Sequence, residues 1–187
     1  RGWDLTLLPS DSHGRVVTTE LTRAITHRTA LVSVMAANNE TGVLQPVEEI
    51  AMAIGGLGVT GARRTLFHVD AVQAAGRVPF DVKTVGADLV SLSSHKMGGP
   101  TGIGALWIRE GVSIDPLMRG GGQERRLRPG TEPVWLAAGF AAAARAARLE
   151  LPAAPTRPLQ RRLETFLTER IGKRRPHSRT PANVRTT

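Results

Sequence analysis

The feature that most constrains this chain is an alternation. Short aliphatic and β-branched runs, apolar at almost every position, are separated by stretches with helical character. A strand that is apolar on both faces stays soluble only when both faces are covered, and helices in the connections provide that cover. Residues 30–37 (ALVSVMAA) read as a fully buried strand, followed by strands over 65–69 (TLFHV), 88–93 (DLVSLS) and 104–109 (GALWIR). Residues 5–8 are a shorter strand candidate. Between them, Thr18-Thr19-Glu20 caps a helix through Ile25, because a hydroxyl satisfies free N–H groups of a first turn. Pro46 opens a second helix over 47–54 that stops at Gly55-Gly56. An Ala-rich helix runs over 134–149, and a linker with Pro152, Pro155 and Pro158 leads to another over 159–171. The expected fold class is α/β, a mostly parallel sheet covered by helices.

Composition excludes several function classes. Hydrophobic residues make up 41% and charged residues 22%, which suits a packed core and not a disordered chain. No apolar run reaches the ~18 residues that span a bilayer, and no signal-peptide pattern opens the chain. There is no cysteine, hence no disulfide, no thiolate metal site and no cysteine nucleophile. The expected setting is cytoplasmic. The net charge of +9 is unevenly placed: residues 1–118 hold ten Lys/Arg against eleven Asp/Glu, and residues 119–187 hold fifteen against five. A basic half invites nucleic acid as partner. The run Lys173-Arg174-Arg175, however, has no aromatic residue nearby for base stacking, and Tyr is absent altogether. Residues 173–187 therefore read as a basic, disordered tail, with nucleic-acid binding disfavoured.

In parallel α/β sheets, ligands bind beyond the C-terminal ends of the strands. The polar residues there are Asn38 and Asn39, Asp70 and Gln73, and Ser93 to Lys96. Lysine is scarce, with only Lys83, Lys96 and Lys173. Lys96 follows a buried strand and precedes Gly98-Gly99, where a desolvated amine could form a Schiff base with an aldehyde; a solvated loop lysine is the plain alternative. Asp70 follows another buried strand, where a carboxylate needs a positive partner such as a protonated pyridine nitrogen, or else serves as a helix cap. Gln73 could reach a ring oxygen. Ser93 and His95 could present a hydroxyl and an imidazole to a phosphate. Gly120-Gly121-Gly122 followed by Gln123-Glu124-Arg125-Arg126 reads as a flexible loop with arginines for an anion, or as a surface turn. No Walker loop, dinucleotide fingerprint, nucleophile elbow or His i,i+4 pair occurs, so no metal site is expected. Together, the acid and the His-Lys pair form a constellation suited to pyridoxal phosphate.

Four stretches carry a resemblance: AANNETGVLQP (36–46), HVDAVQAAG (68–76), SLSSHKMGGPTGIGALW (91–107) and GGGQERRLRPGTEP (120–133). In these the chain resembles the cysteine desulfurases and selenocysteine lyases of the class V aminotransferase-like pyridoxal-phosphate enzymes. Its NNETG form is similar to the subgroup serving iron–sulfur assembly. The resemblance implies the large domain of a pyridoxal-phosphate-dependent transferase of the aspartate aminotransferase-like type (fold type I) in residues 1–149, lacking its N-terminal part. Residues 150–172 would be a linker and the start of a small C-terminal domain.

It further implies Lys96 as the Schiff-base lysine, Asp70 on the pyridine nitrogen, Gln73 on the ring oxygen, and Ser93 and His95 on the phosphate. Asn38 would lie by the ring and the substrate carboxylate. Thr131 would reach the phosphate of a neighbouring subunit's cofactor, which implies a homodimer. The implied reaction removes sulfur from L-cysteine, giving alanine and a persulfide passed to a sulfur acceptor or iron–sulfur scaffold protein. The chain departs from the family in having no cysteine to carry the persulfide, and is expected to be a central piece not competent alone. The alternatives are a selenocysteine lyase or another class V aminotransferase, and a non-catalytic remnant that associates with a desulfurase.

Overall fold

A computed structural model of the protein describes residues 2–57, 64–151 and 156–171. Four strands form one sheet in the order β1 (Leu31–Met35), β2 (Leu66–Asp70), β3 (Leu89–Ser93) and β4 (Gly104–Ile108). β1 pairs with β2 and β2 with β3 in parallel, and β4 returns antiparallel along β3. The reversal has a simple cause. Parallel neighbours need a crossover of about a dozen residues or more, and the link over 94–103 is too short to supply one.

One face of the sheet is the core. Val32, Val34, Phe67, Val69 and Val90 point to it and are buried with Leu21 of α1 (Thr18–Ala24), Val47 and Ile50 of α2 (Val47–Gly56) and Val85 of α3 (Val82–Val85). Each fully buried Phe, Leu, Ile or Val contributes about 1.5–3 kcal/mol relative to an exposed one. The base of this core is tied electrostatically. Asp88 is buried, its Oδ2 accepts the Phe67 N–H at 2.9 Å, and its Oδ1 meets Arg109 Nε at 3.1 Å and Arg64 Nη2. Two longer helices follow, α4 (Val134–Glu150), which packs on the turn after β3, and α5 (Thr156–Ile171).

Several expectations are corrected. Residues 5–8 form no strand: Leu5 and Leu7 are more than four-fifths exposed, and only the isolated bridge between Ser10 and Val16 occurs nearby. A short apolar run without a ladder partner has nothing to satisfy its backbone. β1 is not buried on both faces. It lies at the sheet edge, with Val32 and Val34 buried and Leu31 and Ser33 exposed. The first helix takes Val17 at its N-cap with no side-chain cap, and the Thr18 carbonyl instead accepts the Thr22 hydroxyl. α2 runs through both glycines, and α5 starts early enough to hold Pro158 in its first turn, where its missing N–H costs nothing. Pro152, Pro155 and the basic run after 172 lie outside the described residues.

Candidate functional site

Because β1, β2 and β3 are parallel, they end at one edge of the sheet, and the register fixes what stands there. Met35 pairs with Asp70 and Asp70 with Ser91, so Ser93 lies about 7 Å further along its strand than the residue beside Asp70. Asp70 is the last residue of β2 and not the first beyond it. Its Oδ1 accepts the Val72 N–H at 2.9 Å and so starts a turn over 72–77, not a helix. Within that turn the Gln73 Oε1 accepts Arg77 Nη1 at 2.6 Å. The remaining polar group of Gln73, its amide NH2, is a donor, the right kind of group for a ring oxygen.

Beyond β3 the chain forms a 3-10 turn, Ser94–Met97, closed by Gly98 in the left-handed conformation at φ 81°. A left-handed closing residue favours glycine because it has no Cβ to clash. The turn lifts His95 and Lys96 clear of the strand: His95 is exposed and Lys96 half-buried. The Ser93 hydroxyl and His95 Nδ1 share a hydrogen bond of 2.8 Å, so the two groups stand together. Ser94 faces the other way, fully buried, with Gly99 against its Oγ. That contact seats the turn on α4, where Ala143 touches Gly99.

The loop after β1 is organised by Asn38. Its Oδ1 accepts the N–H groups of Glu40 and Thr41 at 2.9 Å and the Thr41 hydroxyl at 3.1 Å. The Asn38 amide NH2 is left as a donor beside Met35 Sδ, 3.5 Å away. Further along, Glu124, Arg125 and Arg126 all have positive φ. Residues 124–126 therefore form a left-handed turn, and Gln123 Oε1 accepts the Gly130 N–H at 3.3 Å. Non-glycine residues in that region cost about 1–3 kcal/mol each.

Six expected site residues, Asn38, Asp70, Gln73, Ser93, His95 and Lys96, thus gather at one edge. Thr131 is exposed in the segment leading to α4. A further polar group was not anticipated. His68 Nδ1 lies 2.8 Å from the Ser33 hydroxyl and His68 Nε2 lies 2.8 Å from the Ser91 hydroxyl, so one imidazole links three strands on the face that carries Asp70. Burial holds its pKa below the ordinary histidine value, with the Asp70 charge opposing. A polar residue at the centre of each of LVSVM, LFHVD and LVSLS was the visible signal. Among the described residues no cluster of His, Cys, Asp and Glu could hold a metal, and no helix is long and apolar enough to cross a membrane.

A mostly parallel sheet with a Lys-bearing turn after one strand and an acid ending the next defines a class, and the chain belongs to the class-V aminotransferase family, whose profile matches residues 1–184. Within it, the chain is 50% identical over 134 residues to the cysteine desulfurase IscS of Methanosarcina thermophila, a match covering 72% of this chain and 32% of that protein. It is 47% identical over 145 residues to the mitochondrial cysteine desulfurase of Drosophila melanogaster, covering 76% of this chain and 30% of that one. A solved NifS-like protein superposes with a TM-score of 0.85 at 42% identity, over 90% of this chain and 46% of that structure. The chain spans about a third of the length of these curated relatives.

Proposed function

We propose that this chain is the cofactor-holding part of a cysteine desulfurase, with pyridoxal 5'-phosphate as cofactor and L-cysteine as substrate. The observation that carries the reading is the register of β2 and β3, which brings a carboxylate and a lysine-bearing turn to one sheet edge. The donor set suits the group. Asp70 has one oxygen committed to Val72 and the other available to a cationic ring nitrogen, and Gln73 offers an NH2 to the ring oxygen. Ser93 and His95 offer a hydroxyl and an imidazole to the phosphate, and Asn38, in the loop after β1, offers its NH2 to the ring and the substrate carboxylate. Pyridoxal phosphate, when bound, supplies an electron sink for charge developing at the substrate Cα.

The chain's own groups then have defined work. Lys96, a half-buried residue on a short turn, holds the cofactor through its amine and afterwards moves the Cα proton. Asp70 keeps the ring nitrogen protonated. Sulfur leaves L-cysteine for a thiol, giving alanine and a persulfide. With no cysteine in these 187 residues, that thiol comes from outside them. In this reading residues 1–149 are the cofactor-binding unit and 150–172 the lead into a second domain. Thr131, exposed before α4, reaches a neighbouring subunit's phosphate in a homodimer. Sulfur passes to an acceptor or iron–sulfur scaffold protein in the cytoplasm.

The test is visible absorbance of the purified chain with added pyridoxal phosphate, before and after borohydride, followed by peptide mapping. A reduced adduct fixed on Lys96 is expected. A folded chain with no adduct, or with the adduct on Lys83 or Lys173, overturns the assignment.

A further inference from the structure

Beside Asp70, on the same face of β2, His68 spends both ring nitrogens on serine hydroxyls from the flanking strands. A neutral imidazole has one N–H, so one serine accepts from it and the other donates to it. Protonation would turn both nitrogens into donors. The donating serine would then have to reverse, and among the described residues neither hydroxyl has a second hydrogen-bond partner. β1 presents Leu31, Ser33 and Met35 to this face and β3 presents Leu89, Ser91 and Ser93, none of them charged. Asp70 is the charged group acting on the ring. Ser91, in turn, is the register partner of Asp70.

We propose that the Ser33–His68–Ser91 chain makes His68 a positioning residue, a neutral side chain held next to Asp70 so that the Asp70 charge stays available to a cationic ring nitrogen. An imidazolium at this position would compete for the same carboxylate. The consequence is reciprocal: whatever neutralises Asp70 makes His68 harder to protonate, and protonated His68 weakens the ligand that needs Asp70. The inference rests on the pyridoxal-phosphate reading for its ligand, but not for the coupling between His68 and Asp70.

The experiment is nitrogen-15 NMR of the imidazoles in the full chain across the acid range, with His68 assigned through His68→Gln. Without cofactor, Asp70→Asn is expected to lower the His68 midpoint. With saturating pyridoxal phosphate, the midpoint of the unsubstituted chain falls similarly, and that of Asp70→Asn does not move. Cofactor affinity by equilibrium dialysis should then drop below the midpoint, about tenfold for each pH unit by which cofactor displaces it. His68→Gln should lose that pH step while keeping affinity above it. A His68 midpoint indifferent to Asp70→Asn overturns the proposal, as does an unchanged pH step in His68→Gln. Should His68→Gln fail to fold, Asp70→Asn still decides, with His68 assigned through its contacts to Ser33 and Ser91. Absence of any cofactor binding sinks the site reading and leaves the coupling to be judged on the cofactor-free titration.

Discussion

The Asp70 Oδ1 accepts the Val72 N–H at 2.9 Å, so one carboxylate oxygen folds the turn after β2, and in the proposed function the other meets the ring nitrogen. The two tasks separate by substitution. Asp70→Asn retains an oxygen acceptor and should keep stability within about 0.5 kcal/mol, whereas Asp70→Ala should lose about 0.5–1.5 kcal/mol with this hydrogen bond. Both should bind pyridoxal phosphate more weakly than the parent, since neither offers a negative charge. Urea unfolding and equilibrium dialysis on the same preparations check the split; an Asn variant as unstable as the Ala variant would contradict it.

Lys96 sits half-buried on a turn whose seat is made by Ser94 and Gly99. Lys96→Ala should therefore unfold at the parent's urea midpoint and yield no borohydride-fixed cofactor. An adduct of parental yield in this variant would remove Lys96 from the chemistry.

Gly99 is a test of packing. A Cβ there would stand 2.3 Å from Ser94 Oγ and 3.0 Å from Ala143 Cβ. Gly99→Ala should cost about 1–3 kcal/mol through overpacking. Among the described residues the buried Ser94 hydroxyl has no hydrogen-bond partner, so Ser94→Ala should be neutral or stabilising, and the double variant should recover part of the loss. A double-mutant cycle by urea denaturation gives the coupling; strict additivity would refute the contact.

Asp88 and its arginines should behave unequally. Asp88 is 1% exposed and holds the buried Phe67 N–H as well as the guanidiniums. Asp88→Ala should cost about 3–5 kcal/mol by stranding those partners. Arg64, well exposed, should cost no more than about 1 kcal/mol when replaced by Ala.

The His68 environment also shapes stability against pH. Its folded pKa lies below the ordinary value of 6.5, so the unfolded chain binds the proton more tightly. The His68 contribution to stability is therefore flat above 6.5 and falls as pH drops from there toward the folded value. His68→Gln should flatten that part of a chemical-denaturation pH profile; an identical slope in parent and variant would count against it.

How much of this was legible follows from the range of the forces involved. Strand positions, the Ala-rich helix and the chemistry-bearing residues are local: β-branched runs, helix formers and a lone Asp or Lys at a strand end announce themselves within a few residues. The sequence by itself thus determined the α/β class and placed Asn38, Asp70, Gln73, Ser93, His95 and Lys96 after the strands that carry them. Residues 5–8 looked like a strand by the same local rule, and failed because a strand exists only through a partner. The tertiary structure alone decided register, which puts Asp70 beside Ser91 and His68 between two serines distant in sequence. It also decided the direction of β4, set by a link too short to cross over. Pairing across strands depends on the whole chain's burial, and no window of sequence contains it.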